Sequence, residues 1–231
     1  MPNGHEELLV RVEDLTQHFP DYLRCFEQHY RMRGFSGFAA HAWTISRAMS
    51  IRDPFIAVND PAYIEGLRDT ILSWYGVRQS LIVGLQDFHK ALGAIFNLHL
   101  LNVQHLGGSA LPCDDNVRNS LWHVISNLAL TTKMPRLVSG SKTLHHLFWR
   151  LVPPIDRTFT GRFLFGSNGL INTQFDPRHE ETTFHLAFRV FSLIAYQVRL
   201  ADFVGTHHWH TSSTKVLDNA IVGYLWHHNM V

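Results

Sequence analysis

The sequence predicts an all-α protein, folded as a compact multi-helix bundle. Apolar residues recur at spacings of three and four along most of the 231 residues, and strand-like alternation is rare. Prolines, glycines and capping residues interrupt this pattern where helices are expected to begin and end. Because 45% of the residues are hydrophobic, the chain can bury a large core. We therefore expect one domain over residues 1–231 that needs no disulfide or structural metal.

Helix boundaries in the first half follow from local signals. Pro20 separates the first two helices, because proline does not fit inside a helix. Asp60 and Pro61 form a cap followed by a first-turn proline. The predicted elements are helices at Glu6–His18 and Asp21–Met32, a helix from Pro61 to Gly76, a long helix at Leu85–Leu106 and a loop at Gly107–Asp115.

The second half continues the same pattern. The stretch at Phe184–Phe203 is apolar nearly all round, which predicts a helix at the centre of the bundle. A cluster of hydroxyl residues before Lys215 predicts the cap of the last helix. The predicted elements are helices at Val117–Thr131, Lys142–Leu151, Phe184–Phe203 and Thr214–His228, a turn at Val138–Ser141 and a helix opened by Asp156.

Cysteine content and hydropathy predict a cytoplasmic protein. Cys25 and Cys113 are too few for a disulfide framework, a four-thiolate zinc site or a four-cysteine iron-sulfur cluster. The N-terminal residues lack the features of an export signal, and no stretch has eighteen consecutive apolar residues. We expect no membrane association.

Positive charge is concentrated in one window. The net charge is only +1, but residues 133–162 contain six basic residues and a single acidic one, Asp156. This window therefore carries a charge of +5 and the remainder of the chain −4. A local positive field is typical of a nucleic-acid contact surface, and a solvated basic face is the alternative.

The same window contains a candidate helix-hairpin-helix element. Apolar positions indicate two short helices joined by a small-residue turn at Val138–Ser141. Backbone N–H groups at such a turn bind a phosphate without reading bases. Pro153 and Pro154 then bend the chain, and Asp156 opens the next helix.

These motifs resemble those of the helix-hairpin-helix superfamily of DNA glycosylases, which is named for its Gly-Pro-Asp motif. Residues 137–142 (LVSGSK) and 154–156 (PID) are similar to the hairpin and to the Pro-Val-Asp of that family. The resemblance assigns Lys142 to the lysine that forms a Schiff base and Asp156 to the catalytic aspartate. The chain departs from the pattern at Ser141, which replaces a glycine, and in its fourteen-residue spacing from Lys142 to Asp156.

The resemblance implies a DNA glycosylase, with the helix-hairpin-helix and catalytic-Asp segment at about residues 117–165. A carboxylate close to the sugar stabilises the positive charge that develops as the N-glycosidic bond breaks, and Asp156 is the candidate. The alternative is that Asp156 is only an N-cap. Lys142 either contacts a phosphate or attacks the sugar, which would add a weak AP-lyase activity.

Other candidate residues follow from the needs of base flipping. A flipped base is held by aromatic or apolar side chains, and most aromatic residues at helical spacing instead belong to the core. The loop at Gly107–Asp115 or the region at Gly34–Gly37 would supply the wedge that fills the gap. The candidate DNA contacts are Ser139, Gly140, Ser141, Arg136, Arg157 and Arg162, and the candidates for stacking or the base pocket are Trp43, Trp74, Tyr75, Trp149, Trp209 and Asn219.

The function predicted from the sequence is excision of a modified base from duplex DNA, without a cofactor, a metal or an obligatory protein partner. Phage-defence glycosylases that remove glucosylated hydroxymethylcytosine are similar in being compact, cluster-free helical chains, so antiviral defence is the substrate hypothesis. One alternative is a DNA-binding module without catalysis. Another is a metal-dependent hydrolase that uses the C-terminal histidines, whose spacing matches no known site: His207, His208, His210, His227 and His228.

Overall fold

The computed structural model describes residues 4–33, 37–98, 100–132, 136–166 and 168–231. Within these ranges the regular structure consists of thirteen α-helices and two short 3₁₀ helices, with an isolated bridge between Ile82 and Thr131 in place of strands. The predicted all-α class is therefore confirmed. None of the helices in these ranges combines the length and the apolar character needed to cross a membrane.

Internal contacts group the helices into two compact units. The terminal unit comprises residues 1–34 and 153–231, and the central unit comprises residues 35–152. The single domain over residues 1–231 stays a prediction. The segment at 117–165 contributes residues to both units, with its proline bend at the start of the second part of the terminal unit.

The central unit is built from seven α-helices among its described residues. Asp60 caps α5 through its Oδ1, which accepts the N–H of Ala62 at 3.0 Å, and Asp114 caps α8 by accepting the N–H of Val117 at 2.9 Å. The helices are α3 (Phe38–Ile51), α4 (Pro54–Val58), α5 (Pro61–Tyr75), α6 (Leu85–Leu98), α7 (Leu100–Gly107), α8 (Asp115–Asn127) and α9 (Leu137–Leu147), with a 3₁₀ helix at Gly76–Leu81.

Several predicted boundaries of the central unit need correction. The helix predicted to reach Thr131 ends at Asn127, because the chain beyond it pairs with residues 81–83: the N–H of Val83 donates to Leu130 O at 3.1 Å. The predicted loop between Gly107 and Asp115 is present. The long helix predicted over 85–106 is described as α6 and α7, and residue 99 between them lies outside the described residues, as do residues 34–36 and Lys133.

The predicted turn at Val138–Ser141 is wrong, since these residues form the first turns of α9. Ser139, Gly140 and Ser141 are buried, and a Cβ atom on Gly140 would lie 3.0 Å from Cγ2 of Ile125 in α8. Small residues therefore serve a close contact between two helices rather than a turn. Of the predicted helix-hairpin-helix element, the described residues show the two neighbouring helices, α8 and α9.

The terminal unit holds the remaining helices. Ser212 caps the last of them by accepting the N–H of Lys215 at 3.2 Å, as predicted. Pro20 lies in the first turn of the second helix. The helices are α1 (Gly4–Gln17), α2 (Phe19–Arg33), α10 (Thr160–Phe165), α11 (Asn168–Gln174), α12 (Glu180–Gln197) and α13 (Ser213–His227), with a 3₁₀ helix at Leu200–Phe203.

The helix at the core of the terminal unit is α13, and the prediction that the 184–203 helix would be central is wrong. In α12, Leu193 is 38% exposed and Tyr196 is 82% exposed, so one face of this helix meets solvent. In contrast, every residue of α13 from Thr214 to Leu225 is buried. Gly223 makes this possible, because a Cβ atom there would overlap the carbonyl oxygen of Tyr22 in α2.

We therefore predict that Gly223→Ala lowers the free energy of unfolding by about 3 kcal/mol, because an added methyl group forces α13 away from α2. Urea denaturation followed by circular dichroism measures the change. The matched control is Gly93→Ala in α6, where a Cβ atom meets nothing within 4 Å. This control should gain about 0.5–1 kcal/mol from helix propensity. Equal effects of the two substitutions would contradict the close approach.

Candidate functional site

Asp156 begins the turn that leads into α10. Its Oδ1 accepts the N–H of Phe159 at 2.6 Å, and its own N–H donates to Oγ1 of Thr160 at 3.3 Å. The residue is partly exposed. This hydrogen bond closes the turn that precedes α10, whose N-cap is Phe159, so the prediction that Asp156 opens the helix is wrong and the N-cap alternative is not confirmed. The hydrogen bond uses one carboxylate oxygen, so a second role of the carboxylate is compatible with it.

Aromatic rings surround this segment in the terminal unit. The ring of Phe159 meets Trp226 edge-on, with 6.1 Å between centroids, and Trp226 lies 5.2 Å from Tyr30. Tyr30 in turn lies 5.4 Å from Trp209, one of the predicted stacking residues. Burial raises the pKa of Tyr30 to about 12, with smaller contributions from the negative charges of Asp218 and Asp156. Tyr30 is thus a neutral phenol at physiological pH and can donate a hydrogen bond.

The first turns of α13 bring polar side chains into the interior of the terminal unit. Lys215 and Asp218 form a buried ion pair, with 2.5 Å between Nζ and Oδ2. Asn219 is fully buried, and its Nδ2 donates to the carbonyl oxygen of Trp209 at 3.0 Å. Its Oδ1 has no hydrogen-bond partner among the described residues. A buried acceptor without a donor is destabilising, which marks Asn219 as a candidate ligand contact.

The three arginines predicted to contact DNA make hydrogen bonds inside the units. In the terminal unit, Arg157 donates to the carbonyl oxygen of Phe175 at 3.2 Å, and Arg162 donates to that of Met230. In the central unit, Arg136 donates to the carbonyl oxygen of Ser126. All three are partly exposed. Since a guanidinium group has five donors, phosphate contacts by these residues stay a prediction.

The central unit brings together three residues that the sequence analysis proposed separately. The Nζ atom of Lys142 lies over the ring of Trp74, 5.9 Å from its centroid, and over the ring of Tyr75, 5.6 Å from its centroid. Lys142 is partly exposed. The aromatic faces stabilise the charged ammonium form of the lysine.

Of the remaining predicted residues of the central unit, two serines are buried and one tryptophan is exposed. Ser139 and Ser141 are fully buried, and their hydroxyl groups donate to the carbonyl oxygens of Arg136 and Val138 at 3.1 and 3.3 Å. Trp43 is 46% exposed and lies directly on the backbone of Gly66.

Trp149 lines a cavity of about 470 Å³ next to the loop that follows α7. Arg52 and Arg150 contribute positive charge to this cavity, which is also lined by Gly107 at the end of α7 and by Ser109 in the loop. A tryptophan, two guanidinium groups and a predicted wedge loop therefore share one concave surface of the central unit. Arg52 is a contributor that the sequence did not single out, because no motif surrounds it.

Sequence reasoning also missed three buried histidines in the central unit. His41 in α3 and His145 and His146 in α9 are fully buried, and Nδ1 of His41 lies 3.0 Å from Nε2 of His146. Trp74 packs against this histidine cluster, with ring centroids 5.2 Å from His41 and 5.0 Å from His146. The pair of adjacent histidines on an apolar helix was a signal for two of the three residues. Nothing local in the sequence connects His41 with them.

The histidines near the C-terminus have a different setting in the terminal unit. His207 and His208 are neighbours, with 4.2 Å between ring centroids, and Nε2 of His228 lies 3.1 Å from a carboxylate oxygen of Asp14. His210 is buried, with its Nε2 3.5 Å from Glu27. Among the described residues, the grouping with metal-ligand spacing is instead His41, His145 and His146.

Comparison of the chain with protein-family models, with curated proteins and with solved structures gives no match. Function must therefore be inferred from the residues of the chain. The terminal unit holds Asp156, Tyr30 and Asn219 among aromatic rings, and the central unit holds Lys142 with Trp74 and Tyr75.

Burial lowers the pKa of His210 to about 4, with further lowering by the positive charges of His207, Lys215 and His208. The unfolded chain therefore takes up a proton near pH 6.5, whereas the folded chain excludes it until about pH 4. We predict that the free energy of unfolding decreases as the pH falls from 6.5 to 4, and that His210→Gln reduces this decrease. Urea denaturation across this pH range measures it. His5→Gln, an exposed residue in α1, is the control, and identical pH profiles for both variants would exclude the proposed origin.

Proposed function

We propose that the protein is a DNA glycosylase that flips a modified base out of duplex DNA and hydrolyses its N-glycosidic bond, leaving an abasic site. The observation that carries this proposal is the setting of Asp156. Its carboxylate is held by the N–H of Phe159 in a segment lined by aromatic rings, and its charge acts on Tyr30. A fixed carboxylate beside stacking surfaces meets the two requirements of the reaction: charge stabilisation and a place for the base.

Asp156 has the role of stabilising the sugar as positive charge develops on it, or of activating the attacking water. Tyr30, which is partly exposed, supplies a ring on which a flipped base can stack, and Trp209 packs behind it. Tyr30 also offers a hydroxyl donor, and Asn219 offers a carbonyl acceptor on the buried side of α13. A donor and an acceptor among aromatic rings are the groups that read the edge of a base.

The central unit has the features of a surface that holds the DNA backbone. Lys142 presents a charged ammonium group above Trp74 and Tyr75, and Arg52 and Arg150 line the cavity beside Trp149. Helices α8 and α9 correspond to the helix-hairpin-helix element in this proposal. Contacts to phosphate by these residues and by Arg136 fix the register on the duplex without reading its sequence.

The substrate proposed first is glucosylated hydroxymethylcytosine in viral DNA, with alkylated or oxidised bases as the alternatives. The biological function of such an enzyme would be antiviral defence in the cytoplasm. Cys25 and Cys113 are free thiols, and a reducing compartment keeps such thiols reduced. No cofactor is needed for hydrolysis of the N-glycosidic bond by this scheme.

We predict that Asp156→Asn reduces the rate of abasic-site formation by about 100-fold or more, because the asparagine removes the negative charge. Asparagine retains an oxygen that can accept the N–H of Phe159, so this hydrogen bond is kept. The assay uses duplexes that each carry one of the proposed modified bases, followed by alkali to cleave abasic sites. Asp176→Asn is the matched control, since Asp176 accepts the N–H of Arg178 in a similar turn.

Two results would exclude the proposed reaction. The first is full activity of Asp156→Asn, and the second is the absence of abasic sites on every duplex with the wild-type chain. Salt-sensitive DNA binding that is the same in the wild type and in Asp156→Asn, without base release, would instead identify a DNA-binding module.

Lys142 is predicted to bind phosphate rather than attack the sugar, because its Nζ lies over the ring faces of Trp74 and Tyr75, which are a favourable place for a cation. Lys142→Ala should weaken DNA binding and lower the slope of log affinity against log salt by about one. Borohydride should trap no covalent complex with the wild-type chain. Lys90→Ala, an exposed residue in α6, is the control for both measurements. Trapping that disappears in Lys142→Ala would show an imine and hence AP-lyase chemistry.

A further inference from the structure

We propose that His41, His145 and His146 bind a divalent transition-metal ion, with Zn²⁺ as the expected ion. A candidate ligand nitrogen from each of the three residues lies within 4.8 Å of the other two. All three side chains are fully buried in the central unit. This site differs from the histidines for which the sequence raised a metal hypothesis, and it is independent of the proposed glycosylase activity.

The packing of α9 explains how adjacent histidines reach one site. Neighbouring positions on a helix point about 100° apart, so one of two adjacent side chains usually faces solvent. Here both are enclosed, and their ring planes are 80° apart with centroids separated by 5.0 Å. The ring of His41 from α3 is stacked on His145 at 5.6 Å and lies edge-on to His146 at 5.1 Å. Each ring therefore contacts both of the others.

Backbone carbonyl groups orient two of the rings. Nδ1 of His145 lies 2.8 Å from the carbonyl oxygen of Val152, and Nδ1 of His146 lies 2.8 Å from that of Lys142. A carbonyl oxygen only accepts, so each Nδ1 carries the proton and each Nε2 presents its lone pair. Metal-binding histidines commonly donate their other N–H to a carbonyl group in this way. Both rings are thus prepared as ligands by the fold itself.

The third nitrogen lies at a compatible distance. Nδ1 of His41 is 3.0 Å from Nε2 of His146, where the two share a hydrogen bond. Two nitrogens bonded to one tetrahedral zinc ion are about 3.3 Å apart, given zinc–nitrogen bonds of roughly 2.0–2.1 Å. A metal ion can therefore replace this hydrogen bond with little movement of the His41 and His146 rings. The proton of His41 moves from Nδ1 to Nε2, so binding needs no net loss of a proton.

The ligand set determines the class of ion. The cluster within the described residues consists of imidazoles alone, which suit Zn²⁺ and the other late first-row metals. Mg²⁺ and Ca²⁺ prefer oxygen ligands and are not expected to bind. Because α3 and α9 each contribute ligands, the ion would join two helices of the central unit and stabilise its folded state.

Metal titration of the full chain without an affinity tag tests the proposal. The protein is treated with EDTA, dialysed, and titrated with ZnCl₂ by calorimetry and with CoCl₂ by visible absorption. The expected results are one Zn²⁺ per chain, an increase in Tm on binding, and the visible bands of tetrahedral Co²⁺ that is held by three histidines and a water molecule from the solvent. MgCl₂ should produce neither heat of binding nor a change in Tm.

Variants assign the ligands. Loss of a group that only hydrogen-bonds to a metal ligand reduces metal affinity by roughly 10–100-fold. His145→Gln removes a ligand itself and should reduce Zn²⁺ affinity by more than this. The matched control is the double variant His207→Gln and His208→Gln, which removes the other adjacent histidine pair and should bind Zn²⁺ as the wild type does. Unchanged affinity in His145→Gln, or lost affinity in the control, would overturn the assignment.

The wild-type titration keeps the proposal falsifiable if His145→Gln does not fold, as circular dichroism will show. In that case the Co²⁺ spectrum decides between the outcomes. Tetrahedral bands at one equivalent, unchanged in the control variant, support the three-histidine site. A folded wild-type chain that gives no bands and no heat with Zn²⁺ contradicts it.

Discussion

The close approach of α13 to α2 at Gly223 is the contact on which the terminal unit depends. With no side chain at this position, the backbone of α13 lies against the carbonyl group of Tyr22, and the helix is buried from Thr214 to Leu225. Full burial carries the polar residues of α13 inward as well. The charge of Lys215 is therefore paired with Asp218, since an isolated buried charge would be strongly destabilising. The polar interior of this unit is thus a consequence of how closely two helices pack.

In the central unit a glycine also lets two helices pack closely, and polar residues are again buried. Gly140 allows α9 to lie against Ile125 of α8, and α9 is buried over most of its length. Its interior positions include His145 and His146, where apolar residues would satisfy the needs of packing alone. Buried imidazoles are tolerated only with hydrogen-bond partners, and backbone carbonyl groups supply them. The two histidines thus occupy positions that packing alone would fill with apolar side chains, and this is the setting from which the metal site is proposed.

Local features of the fold could be predicted from the sequence, whereas features that depend on contacts between helices could not. The caps at Asp60 and Ser212 were predicted because they involve residues three apart or fewer. The segment at 138–141 was misjudged because small residues suit a tight turn and a close helix contact equally. The sequence predicts α12 at the centre of the bundle, whereas α13 lies at the core of the terminal unit. Composition does not show which helix packs closely on its neighbour at a glycine. His41 lies more than one hundred residues from its partners in the sequence, so no motif based on residue spacing includes it.

The case for base recognition in the terminal unit depends on two groups whose hydrogen-bonding roles are fixed by their surroundings. Burial raises the pKa of Tyr30 to about 12, so its hydroxyl group keeps its proton at physiological pH. The amide nitrogen of Asn219 is engaged by the carbonyl oxygen of Trp209, and this bond determines the direction of the amide oxygen. In the proposed function, these two groups read the edge of the flipped base. A buried acceptor with no donor among the described residues lowers the stability of the fold, and the base of the proposed function would supply that donor.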